Sequence, residues 1–161
     1  MESNNLKLLA EKIKDFKIAM LTTVEEDGSL CSRPMATIEI QNDNQLWFFT
    51  KTDTLKIHEI QSDAHVNISY MNESKELYIS VGGTAQVVKD KAKIKELWSP
   101  VLKAWFPEGE NDPEITLLKV KINKAQYWDA PGNRVIQLIG MAKAVITGKE
   151  YKPGENKKIK A

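Results

Sequence analysis

Apolar residues recur at every second position through run after run of this chain, and most of the runs are joined by connections too short to cross a sheet. Strict alternation puts one side chain inward and the next outward, the period of a half-buried strand. A connection of a few residues can join only antiparallel neighbours, because a parallel return needs a crossover of a dozen or more. The runs cover residues 17–24 (KIAMLTTV), 30–40, 45–50, 64–71, 77–87 and 115–128. Asp27-Gly28 marks a hairpin turn, Asn42-Asp43-Asn44 and residues 72–75 mark others, and Pro131-Gly132-Asn133 stops the last run. Pro34 inside the second run predicts an edge position or a bulge. Gly82-Gly83 inside the fifth predicts a bulge, a corner, or backbone pressed against a ligand, the corner being the commonest case. About six such strands suit a small closed antiparallel barrel.

Four segments carry the helical period instead. Leu6, Leu9, Ile13 and Phe16 share one face of a helix within residues 3–16. Residues 54–61 and 89–98 read as short helices, and 135–146 as a longer one that Gly148 is placed to terminate. The passage WSPVLKAWFPEGENDPE (98–114) is too apolar for a linker and too interrupted by proline for one regular element. These elements predict a single domain over residues 1–148 with helices at both ends, followed by a solvated lysine-rich tail over 149–161.

Composition narrows the function classes. With 161 residues and 42% hydrophobic content, the chain can bury a sizeable core. Its net charge of +1 gives no field for nucleic acid or an acidic membrane. Cys31 is the only cysteine, and His58 and His65 are the only histidines, so no zinc site or disulfide framework is expected. No apolar run has the length of a signal-peptide core or a membrane span, and a soluble cytoplasmic protein is the expectation. Neither GxGxxG nor GxxxxGK[ST] follows any strand, which removes the usual dinucleotide and NTP fingerprints.

The junction QLWFFTKTDTLKIHEI (45–60) is where binding chemistry concentrates. A strand there delivers Thr50, Lys51, Thr54 and Lys56 to a helix start, whose free N–H groups and dipole favour an anion. The competing reading is that Thr52 or Asp53 merely caps a surface helix. Alternation puts Arg33, Met35 and Thr37 on one face of the second strand, and if that strand neighbours the third, Arg33 faces the same space. Trp98, Trp105, Phe106 and Trp128 lie late in the chain near prolines, where each could pack in a core, meet a partner or stack on a flat ligand.

Taken in order, SRPM (32–35), WFFTKTDTLK (47–56), SVGGTAQVVKD (80–90), LWSPVLKAWFPEG (97–109), DPE (112–114) and QYWD (126–129) resemble the general stress protein branch of the pyridoxamine 5′-phosphate oxidase-like family, the FMN-binding split barrels. The resemblance implies a six-stranded antiparallel split β-barrel and a homodimer with FMN at its interface. Arg33 would face the flavin phosphate or ribityl chain, and Pro34, Met35, Ala36 and Thr37 would pass beside the ring. Thr50 and Lys51 would close the FMN-binding strand, while Thr54 and Lys56 would hold the phosphate. Trp105 and Trp128 would reach the flavin from the partner subunit. Leu55 stands where the oxidase has an arginine, and no basic or histidine cluster like the oxidase's substrate-phosphate site follows, so vitamin B6 oxidase activity is disfavoured. The resemblance implies a flavin oxidoreductase or redox stress protein using a small-molecule donor or substrate, with no catalytic acid or base evident. Open alternatives are a non-catalytic flavin carrier, a flavin-free β-barrel interaction module, and haem or deazaflavin binding.

Overall fold

A computed structural model describes residues 3–38, 44–130, 134–150, 152 and 154–160. The strands are β1 (Ile18–Val24), β2 (Leu30–Ala36), β3 (Gln45–Lys51), β4 (His65–Asn72), β5 (Leu77–Val88), β6 (Ile115–Asp129) and β7 (Glu155–Lys160). The helices are α1 (Ser3–Ile13), α2 (Leu55–Ser62), α3 (Lys91–Leu97) and α4 (Arg134–Thr147), with a 3-10 segment at Pro100–Ala104. Hydrogen-bonded neighbours run β2-β1-β4-β5-β6-β3, all antiparallel, and β7 adds to β6.

Two expectations need correction. The sheet has seven strands rather than six, and it is not closed: β2 and β3 end the path and do not pair with each other among the described residues. The segment 149–161 is also not a solvated tail throughout. β7 pairs with the second half of β6, from Lys124↔Lys160 to Asp129↔Glu155, while the first half of β6 pairs with β3. Ile159 is only 2% exposed and joins the main core. ENKKIK hid this because Lys157 and Lys158 face water, as suits an edge strand that must not recruit another chain. The turn readings at Asn42-Asp43 and Pro131-Gly132-Asn133 fall outside the described residues.

The inward positions of the strands meet in one cluster that includes Leu21, Met35, Phe48, Ile68, Val81 and Val120, with Leu9 and Ile13 of α1 packed on it. The sheet thus folds around a common core, and α1 covers an end of it by the apolar face read from its spacing. Gly83 sits at a register shift between β5 and β6, where an added Cβ would lie 2.3 Å from the Lys121 carbonyl oxygen. Gly82 pairs with Lys124 and Gly83 with Ile122, so Asn123 is the extra residue and the bulge lies in β6, opposite the paired glycines. Gly28, at φ +83°, closes the β1–β2 hairpin, where Glu25 N–H donates to the Ser29 carbonyl at 2.8 Å.

A second cluster fixes the tryptophan-rich passage. Trp47, Ile115 and Leu117 pack against Ile94 of α3 and against Leu102 and Phe106, with Phe49 and Trp98 beside them. Phe49 meets Trp98 edge-on at 5.9 Å. Burying Phe106 to 3% exposure contributes about 2–3 kcal/mol. This anchors the 3-10 segment and leaves Trp105, half exposed, beside the unpaired edges of β2 and β3.

Candidate functional site

The open seam between β2 and β3 holds a groove of about 290 Å3. Pro34, Met35 and Ala36 form one wall, Phe49, Thr50 and Lys51 the other, Thr54 and Lys56 one end, and Leu102, Trp105 and Phe106 the cover. An adjoining hollow of about 860 Å3 shares Ala36, Leu102 and Trp105 with it and continues past Thr37, Ile38, Ile18 and Phe16. Its lining is chiefly apolar, so the combined space runs from a cationic end to an aromatic one.

At the cationic end, α2 starts without a side-chain cap. Thr54 occupies the N-cap position in extended conformation, yet its hydroxyl donates backward to the Lys51 carbonyl at 3.3 Å. Thr52 is not the cap either: its hydroxyl donates to the Glu114 carbonyl at 3.0 Å and meets Thr116 Oγ1 at 2.9 Å. Asp53 lies 3.5 Å from His58. By contrast, α3 is capped conventionally, with Asp90 accepting from Ala92 and Lys93 N–H groups. The first turn of α2 therefore keeps donors and a positive dipole end for an external anion.

Three cations surround this end, and two are engaged by carboxylates. Lys51 pairs with Glu114 at 2.9 Å, a solvent-exposed contact whose hydrogen bond and charge raise its pKa and which water and salt largely screen. Arg33 Nη2 donates to Glu59 Oε2 at 2.8 Å, and its Nη1 donates to Thr23 Oγ1, which itself donates to Glu59 at 2.5 Å. Half-buried Lys56 forms no ion pair among the described residues. Burial, and then the nearby Arg33 charge, push its pKa below the usual 10.5, with Glu59 pulling the other way.

The structure brings Pro34, Met35, Ala36, Thr50, Lys51, Thr54, Lys56 and Trp105 to one groove. Thr37 lies in the adjoining hollow, its backbone N–H donating to the Lys17 carbonyl at 3.0 Å. Its buried Oγ1 has no hydrogen-bond partner among the described residues. Arg33 is not on the groove wall but behind it, held by Glu59. Trp105, expected to reach the flavin from a second subunit, lines the groove of its own chain, because the 3-10 segment folds back over β3. Trp128 lies elsewhere, beside its cross-strand neighbour Tyr78 in a separate hollow of about 540 Å3. Sequence reasoning missed Phe49 and Leu102 as lining residues and Glu59 as the partner of Arg33. No local signal marked the last, because Glu59 lies 26 residues from Arg33 on another element. No group of three or more His, Cys, Asp or Glu among the described residues could hold a metal ion, and no described helix is long and apolar enough to cross a membrane.

Residues 4–152 match the family model described as pyridoxamine 5′-phosphate oxidase like. The chain belongs to this family. It is 34% identical over 158 residues to protein bli-3 of Neurospora crassa, covering 88% of this chain and 76% of that protein. A general stress FMN/FAD binding protein from Xanthomonas citri is 29% identical, with a TM-score of 0.66 over 76% of this chain and 87% of that one. A protein related to general stress protein 26, from Clostridium acetobutylicum, shares the fold at a TM-score of 0.73 and 19% identity, covering 99% and 96% of the two chains.

Proposed function

We propose that this family member binds FMN in the β2–β3 groove and serves as a small flavin-dependent oxidoreductase, working in the cytoplasm as a homodimer. The observation that carries the reading is the groove itself: a helix start without a side-chain cap, with a lysine that forms no ion pair among the described residues at one end, continuous with a chiefly apolar, tryptophan-covered hollow at the other. Phosphate fits the first and a flat heteroaromatic ring the second. The unpartnered Thr37 hydroxyl offers a polar contact within that hollow. The Xanthomonas citri relative, described as an FMN/FAD binding protein, supports the same ligand class.

In this reading Lys56, the Thr54 hydroxyl and the first-turn N–H groups of α2 hold the phosphate, and Met35, Ala36 and Trp105 confine the ring. Bound flavin would supply hydride or electron transfer, and the protein would orient it and keep water from the covered face. Among the described residues Lys51 and Lys56 are the ionisable side chains on the groove wall, and the adjoining hollow adds Lys14, Lys17 and Glu96. The groove wall itself carries no carboxylate or histidine for proton transfer, which favours a second reading, a flavin carrier without turnover.

A second copy of the chain is supported by exposed apolar side chains on outward strand positions: Ile18, Met20, Met71, Tyr78 and Trp128 are each 40–69% exposed. Docked there, a partner would cover this face and bring Trp128 of one copy toward the other. Mixing FMN-loaded protein with NADH or NADPH in a stopped-flow instrument tests turnover. Bleaching of the flavin band is expected of the oxidoreductase, and its absence with every common donor leaves the carrier. Sedimentation velocity tests the dimer, for which a monomer at micromolar concentration is the contrary result.

A further inference from the structure

Arg33, Thr23 and Glu59 form a closed triangle under α2, with the Arg33 and Glu59 side chains only 19% and 11% exposed. Glu59 lies one turn after Lys56, so the two share a face of the helix. On the other side of α2, Glu59 borders a second hollow with Glu25, Glu26, Asp27 and His58. It therefore stands between an acidic surface and the groove's cationic end. Resting on the flavin-phosphate reading above, we propose that Glu59 is a positioning and charge-setting residue of the anion seat: it cancels the charge of Arg33 and locks that side chain against β1, leaving Lys56 as the cation that meets the phosphoryl group.

Two features support this assignment. Arg33 does not line the groove, and two of its N–H groups are already committed to Thr23 and Glu59. Lys56 does line it and senses both members of the pair with opposite sign. A buried pair of this kind contributes geometry more than charge, since its attraction is largely offset by desolvation. The seat then carries about one net positive charge, and its preference for a phosphorylated ligand over the unphosphorylated one is set by Lys56.

Affinities of FMN and riboflavin at pH 7, measured by flavin fluorescence for wild type, Glu59→Gln and the double variant Arg33→Met/Glu59→Met, test the proposal. Glu59→Gln uncovers the Arg33 charge and should raise the preference for FMN over riboflavin about three- to tenfold. The double variant removes both charges with an apolar pair of similar bulk, and should keep that preference within about twofold of wild type. A fall of about tenfold or more in the double variant would mean that Arg33 itself grips the phosphate, and a fall in Glu59→Gln would contradict the charge assignment. The acylation rate of Lys56, followed by mass spectrometry without any flavin, gives a second readout. It should rise in Glu59→Gln and return to wild type in the double variant, whereas an unchanged rate overturns the proposal. If wild type binds neither flavin, the flavin reading fails while the acylation rates still decide the role of Glu59.

Discussion

Replacing Lys56 by Met tests the anion seat at the cation that no described carboxylate engages. Lys56 is half-buried and forms no ion pair among the described residues, while Lys51 and Arg33 are held by Glu114 and Glu59. A hydrogen bond to a charged group contributes about 1.5–3 kcal/mol, which is roughly a 10- to 150-fold change in affinity. Met keeps the aliphatic stem and therefore the apolar packing against the groove wall. FMN affinity should fall within that range, and riboflavin affinity should change by less than about threefold, because only the phosphate loses a partner. Isothermal titration at low ionic strength reads both, and raising the salt should shrink the wild-type advantage. A loss under about threefold for FMN, or an equal loss for riboflavin, would refute the placement of the phosphate at α2.

Further outcomes follow from the same geometry. Because the Lys56 pKa lies below 10.5, its charge is present at low pH and lost as pH rises through that lowered value, so FMN affinity should begin to drop at lower pH than an ordinary lysine would give. Bound phosphate should in turn raise the same pKa, a linkage visible by titrating the loaded and unloaded protein. Gly83→Ala would force a Cβ to within 2.3 Å of the Lys121 carbonyl and should destabilise by at least about 2 kcal/mol in urea unfolding. Ile159→Asp puts a carboxylate into the 2%-exposed site that ties β7 to the core, and should cost about 3 kcal/mol or more. A change of under about 1 kcal/mol would mean that β7 is dispensable.

The strands were legible because their inward sets are apolar and regular. Val66, Ile68 and Tyr70 of β4 and Leu118, Val120 and Ile122 of β6 are all buried as alternation requires. Pro34 correctly placed β2 at an edge, since a missing N–H is harmless there. β7 was illegible because Ile159 is its only apolar residue, and the burial of that residue depends on pairing with distant β6, where it sits opposite Ala125. For the site, local chemistry marked Thr54 and Lys56, which neighbour each other in sequence. The partner of Arg33 lies 26 residues away on a different element, so no local pattern could reveal that its charge is already engaged. The position of Trp105 likewise depended on how the 3-10 segment folds over Trp47 and Leu117, a packing choice that proline and tryptophan content does not encode.

The central claim is that the β2–β3 groove binds FMN, and it is tested most directly by adding FMN to the purified, flavin-free protein and recording its visible spectrum and melting temperature. One FMN per chain should be retained after gel filtration, with structured flavin absorption. At 100 times Kd, binding stabilises by about 2.7 kcal/mol, and at about 2–4 °C per kcal/mol for a domain of this size the melting temperature should rise by roughly 5–10 °C. A colourless protein whose melting temperature does not move with FMN would contradict it.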